Sequence, residues 1–147
     1  MADESRAKLQ ELVEKELEII NSGDVDRFEE VYAHDFIHHG FETKGLDEYK
    51  KVLNMAKSAF PDVTSKIEDM IIEGDKVVTR LTGKGTHEGI YHGLPNREYG
   101  IPPTGKTFEA DAIEIMRIEN GKIKEMWTLL DHVSLLEQLG VEFTHGG

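Results

Sequence analysis

A chain of 147 residues with 17 basic and 29 acidic side chains has a formal net charge of −12, which repels phosphate backbones and anionic lipid heads. No basic stripe offsets that repulsion, so neither nucleic acid nor a membrane surface is an expected partner. There is no cysteine to form a disulfide or act as a thiolate nucleophile. No apolar run approaches the ~20 residues of a membrane span, and the start MADESRAKLQ is too charged for a secretion signal, so one cytoplasmic domain is expected.

Leu9, Leu12, Val13, Leu17 and Ile20 recur at helical spacing and predict a first helix that stops at Asn21-Ser22-Gly23, with residues 1–6 as a tail. Asp24 caps a second, shorter helix with Val25, Phe28 and Val31 inward, leading into YAHDFIHHG at 32–40. A third helix runs from Leu46 to Phe60, where Pro61 ends it. Then the texture changes. Residues 63–72 and 77–82 read as two strands about the turn Glu73-Gly74-Asp75-Lys76, and a loop rich in Gly and Pro follows. That loop, from Glu88 to Thr104, is expected to be more mobile than the strands it joins. Residues 107–118 and 122–130 form a second hairpin about Asn120-Gly121. A short helix over 132–139 ends at Gly140, and 142–147 reads as a frayed tail. Helices first and antiparallel strands after predict an α+β domain, with the helices on one face of a curved sheet.

The run FPDVTSKIEDMIIEGDKVVTRLTGKGTHEGIYHG, then PPTGK, then RIENGKIKEMWTLLDHVSLLEQLG resembles the SnoaL-like polyketide cyclases of the nuclear-transport-factor-2-like (cystatin-like) superfamily, with a fainter match at DFIHHG. The resemblance implies a cone in which antiparallel strands wrap around helices and enclose an apolar pocket. It also implies intramolecular aldol ring closure without metal or cofactor, with an Asp as acid and base at the strand end that Asp131 occupies. The chain departs from the family at GLPNREYGIPPTGK, where Asn96 to Gly100 look inserted.

Alternation along the last strand puts Trp127, Leu129 and Asp131 on one face and Met126, Thr128 and Leu130 on the other. If the first set faces the pocket, Asp131 stands there as a desolvated carboxylate whose pKa rises toward neutrality, as a general acid/base requires. The competing reading makes Asp131 the N-cap of the last helix, which would lower its pKa. His39, His87, Trp127 and Leu129 are the candidate substrate-binding residues, although a one-residue slip exchanges His39 with His38. Trp127 also reads as packing wall, and Glu109 and Asp111 as a solvated face. Seven histidines raise the question of a metal, but no HxH or HExxH spacing answers it, so no metal is expected, and the resemblance implies no cofactor. The glycines at 83, 85, 89 and 93 make no phosphate loop.

Together these observations point to an acid/base enzyme acting on a compact apolar carbonyl compound. An isomerase or epoxide hydrolase on the same cone, or a binding module without turnover, are the alternatives. With Trp127, Leu129 and Asp131 turned inward, Met126, Thr128 and Leu130 with Ile113, Ile115 and Met116 would form a second apolar surface. A homodimer through that outer sheet face is therefore expected.

Overall fold

The structure, a computed structural model, describes residues 2–92 and 100–141. The inserted-looking Asn96 to Tyr99, most of the tip of the long loop and the 142–147 tail lie outside the described residues, and with them the expected mobility there. Helix α1 (Ala2–Ser22) is followed by a 3-10 turn (Val25–Glu30), β1 (Tyr32–His39), β2 (Thr43–Lys44) and α2 (Leu46–Ala59). Strands β3 (Thr64–Glu73), β4 (Lys76–Thr86), β5 (Thr107–Glu119) and β6 (Lys122–Leu130) come next, and α3 (His132–Gln138) closes the chain. The expected α+β architecture is present: a curved six-stranded sheet with helices laid against it. Residues 2–6 continue α1 rather than forming a tail, and the Arg6 guanidinium donates to the Ile72 carbonyl at 2.8 Å.

The strand order is β2-β1-β6-β5-β4-β3, antiparallel throughout except where β1 runs parallel beside β6. Sequence patterning found the two hairpins because each is local. Asn120 and Gly121 both take positive φ (52° and 75°), the backbone that a two-residue hairpin turn demands. The insertion of β1 beside β6 joins segments far apart in the chain and has no local signal. Asp24 accepts the Asp26 N–H and caps the predicted second helix, which closes as a 3-10 turn instead of an α-helix.

The core lies between the helices and the inward face of the sheet, where Phe28, Val31, Tyr32, Phe36, Tyr49, Val77, Met116, Ile123 and Met126 pack together. A second cluster of Phe60, Phe108, Ala110, Leu135 and Leu139 seats α3 on the far end of β5. Gly89 is required where the loop leaves β4, because a Cβ there would stand 2.2 Å from the Ser58 carbonyl oxygen.

Candidate active site

Strand β5 sends Phe108, Ala110, Ala112, Glu114, Met116 and Ile118 toward the helices and Glu109, Asp111, Ile113 and Ile115 away from them. On β6 the inward set is Met126 and Thr128, while Trp127 and Leu129 face outward. The expected assignment of faces on the last strand is thus reversed. Met126 is fully buried, whereas Leu129 is 79 % exposed and Trp127 36 % exposed. The reason is a phase of one residue: the register of β6 against β5 and β1 pairs Met126 with Met116 and with His38, both inward.

The same register settles the histidine pair. His38 is buried on the helix-covered face, and its ring stacks on Tyr49 (centroids 5.3 Å apart) and on Phe41 (4.2 Å). His39 lies on the outer face, stacked on Trp127 at 4.8 Å and bonded through Nε2 to Glu125 at 2.8 Å. His39, and then Arg117, hold the Glu125 carboxyl below its usual range. So His39, Trp127 and Leu129 share one face of the sheet, and it is the face opposite Glu114 and His38.

Asp131 follows β6 and is exposed. Its carboxylate accepts the Ser134 N–H at 3.1 Å as the N-cap of α3, and its own N–H donates to the Asp111 carbonyl at 2.9 Å. Asp131→Ala should lower stability by about 1 kcal/mol and Asp131→Asn by little, since Asn caps as well as Asp. Urea titration of the two variants checks this. His87, a candidate substrate-binding residue in the sequence, is completely buried among Phe60 and Tyr91. Its Nδ1 accepts the Thr104 N–H at 3.2 Å, which ties the end of the long loop to β4.

The helix-covered face brings together groups that sequence reading did not single out. His38 Nδ1 accepts the Phe41 N–H at 3.2 Å, so the neutral ring carries its proton on Nε2. That N–H donates to Thr128 Oγ1 at 3.0 Å, and the Thr128 hydroxyl donates to Glu114 Oε2 at 3.1 Å. The chain of bonds therefore points at the carboxylate. Burial lowers the His38 pKa to about 4, helped by nearby His39, so the ring is neutral at physiological pH. Burial raises Glu114 to about 7 against the opposing effect of the Thr128 bond. From α1, Glu16 enters the same interior, 4 % exposed, and accepts the Tyr32 hydroxyl proton in a hydrogen bond. Burial, then the Glu114 charge, raise Glu16 to about 8. A carboxyl titrating near neutrality can take a proton from carbon and return it, which one at its ordinary pKa does poorly at that pH.

Cavities lie to the side of this cluster. A groove of about 640 Å³ runs between α1 and β3, lined by Arg6, Gln10, Leu17, Asn21, Ile67 and Met70, and a smaller space of about 160 Å³ lies beneath α2 near Phe28 and Leu53. Among the described residues no three His, Asp or Glu side chains are grouped to hold a metal ion, and no helix is long and apolar enough to cross a membrane.

The family model for SnoaL-like polyketide cyclases matches residues 10–139. The chain belongs to the SnoaL-like polyketide cyclase family. It is 27 % identical over 137 residues to the aklanonic acid methyl ester cyclase DauD of Streptomyces sp. (strain C5), covering 88 % of this chain and 80 % of that one. It is 28 % identical over 127 residues to the nogalonic acid methyl ester cyclase of Streptomyces nogalater, covering 82 % and 88 %. Among solved structures, TsrD from Streptomyces laurentii superposes with a TM-score of 0.80 at 29 % identity, over 92 % of this chain and 96 % of the other. In this SnoaL-like chain the inward column of β5 and β6 carries Glu114 and Thr128, and no residue type there stood out in the sequence as chemistry. The available signal was phase: Glu114 falls on the same alternation as Phe108, Ala110, Met116 and Ile118.

Proposed function

We propose that this SnoaL-like chain closes a ring in a compact, largely apolar polyketide by an intramolecular aldol reaction, with Glu114 as the general base. The observation that carries this reading is an inward-facing carboxyl, desolvated and oriented by Thr128 and His38, in a chain whose relatives include an aklanonic acid methyl ester cyclase and a nogalonic acid methyl ester cyclase. Glu114 removes a proton from carbon next to a carbonyl. The resulting enolate carbon attacks a second carbonyl in the same molecule, and the alkoxide so formed takes up a proton. The product is an isomer of the substrate, so no cofactor is needed to balance the step. Incubation with aklanonic or nogalonic acid methyl ester should yield a ring-closed product of unchanged mass, and in D₂O the substrate should gain deuterium next to the carbonyl. Neither exchange nor closure with either ester would count against the reading.

Asp131 supports a second assignment of the base. It stands exposed at the end of β6, where an approaching ligand reaches it without rearrangement of the core. Asp131→Asn and Glu114→Gln separate the two assignments, since the variant that retains turnover has lost a group the reaction does not use.

Ile113 pairs across the hairpin with Leu129, and Ile115 with Trp127, so four large side chains make one apolar patch on the outer face. The ion pairs Arg117–Glu125 and Arg80–Asp69 on the same sheet supply both signs of charge, which suits a patch that meets its own copy. A second copy of the chain covers it. This dimer uses Trp127 and Leu129 where Met126, Thr128 and Leu130 were expected. Light scattering should show a dimer at micromolar concentration and a monomer for Leu129→Asp; a monomeric wild type overturns it.

A further inference from the structure

On β4 the residues Val77, Thr79 and Leu81 face inward, and the register aligns them with β5 and β6 in three rows across the sheet. Val77, Met116 and Met126 form the first row, belong to the larger core cluster and are at most 1 % exposed. Thr79, Glu114 and Thr128 form the second, and Leu81, Ala112 and Leu130 the third. Neither of these two rows joins a core cluster, and packing resumes along β5 only at Ala110 and Phe108. The face opens in the same order. Glu114, Thr128 and Ala112 are half-buried, and Leu130 is 41 % exposed although alternation turns it inward. The second and third rows therefore line a stretch of inward face that neither cluster covers, open on the Leu130 side.

Thr79 closes the deep end of that stretch. It is 1 % exposed, its hydroxyl has no hydrogen-bond partner among the described residues, and its neighbours along the inward face of β4 are Val77 and Leu81. Valine has the same shape and would bury no hydroxyl, a group that is rarely left unpaired and costly when it is. Register sets Thr79 directly opposite Glu114, and residues so placed on antiparallel strands hold their Cβ atoms about 5 Å apart on one face. Thr128 stands on the other flank of Glu114, where its hydroxyl accepts the His38 N–H and donates to Glu114 Oε2. Two threonines thus flank one carboxyl, the first with its bonds made and the second with a donor to offer.

We infer that Thr79 is the oxyanion donor of the ring closure, its hydroxyl holding the oxygen of the carbonyl whose neighbouring carbon Glu114 deprotonates. This rests on the reading of Glu114 given above. As the C–H bond breaks, the proton passes to Glu114 and the electron pair left behind moves onto the carbonyl oxygen, giving an enolate. Thr79 keeps its own proton and donates a hydrogen bond to that charge. When the enolate carbon bonds to the second carbonyl, the first carbonyl re-forms, so the bond from Thr79 is strongest only while the charge rests on its oxygen. A donor already out of water and without a protein partner gives up no bond to make this one. Thr128 orients the base, and Thr79 orients the substrate.

Thr79→Val and Thr79→Ser separate this role from packing. Thr79→Val should lower kcat for either methyl ester by about 10²-fold with KM changed little, the usual loss for one oxyanion donor. Thr79→Ser keeps the hydroxyl and should recover most of that turnover. Thr43→Val is the control: Thr43 is also buried with a hydroxyl unpartnered among the described residues, but it lies on the edge strand β2, and its loss should leave kcat unchanged. The urea midpoint of Thr79→Val should equal or exceed that of the wild type, and Thr79→Ala gives the same comparison if Val crowds the site. A readout independent of the esters is 2-naphthol, whose hydroxyl oxygen stands in for the enolate oxygen. By fluorescence titration the wild type and Thr79→Ser should bind it about tenfold more tightly than Thr79→Val. Full turnover by Thr79→Val, or 2-naphthol affinity equal in wild type and Thr79→Val, undetectable binding by both included, overturns the inference. Full turnover by Glu114→Gln beside a slow Thr79→Val would instead sink the function proposed for Glu114 and leave Thr79 as the donor.

Discussion

Glu114→Gln should reduce ring closure by about 10²–10⁴-fold, the usual contribution of a positioned general base. Gln keeps the shape of the side chain and still accepts the Thr128 hydroxyl, so the chain from His38 through Thr128 survives and binding of the ester should change little. The loss therefore falls on kcat with KM nearly constant, the pattern of an interaction used in the transition state alone. Steady-state kinetics with either methyl ester measures it. Thr128→Val is the informative companion. It removes the donor that favours the anion, so Glu114 should titrate higher still and the pH–rate profile should move to more alkaline values.

Raising the pH from about 5 to about 8 should destabilise the folded chain, and Glu16→Gln should remove much of that dependence. Both inward-facing carboxyls have folded pKa values above the ordinary 4.5, about 8 for Glu16 and about 7 for Glu114. Between 4.5 and those values the folded chain binds more protons than the unfolded one, so stability falls as pH rises. Below 4.5 both states are protonated at these sites and the penalty vanishes. The loss grows with each pH unit that separates folded from unfolded midpoints, and both shifts act in the same direction. Surface carboxylates act in the opposite sense: Glu30, held low by Arg27 and Lys15, and Asp62, held low by Thr86, favour folding above their ordinary range and lose that effect in acid. Stability should therefore peak near pH 5. Urea midpoints across that range check the curve, and a wild type equally stable at pH 5 and pH 8 would refute the raised pKa of these two carboxyls.

The sequence determined the α+β class, both hairpins and the family, but not the strands β1 and β2 that come before α2. Those features rest on local signals: the helical spacing from Leu9 to Ile20, the Asn120-Gly121 turn, and short blocks such as EGDKVV and PPTGK. It also left the right question at Asp131, whose capping of α3 the structure shows. Which face of β6 turns inward was decided only by tertiary structure. The strand is apolar at Met126, Trp127, Leu129 and Leu130, so both faces look like a core and alternation has no preferred phase. The phase comes from the parallel pairing with β1, which sets Met126 beside His38 and turns Trp127 toward His39. The inward placement of Glu16 and of Glu114 is of the same kind. Each residue interrupts an apolar pattern on its own element, and each alone reads as a surface glutamate. Only the packing of α1 over the sheet turns both inward, because desolvation acts through space and has no signature in chain order.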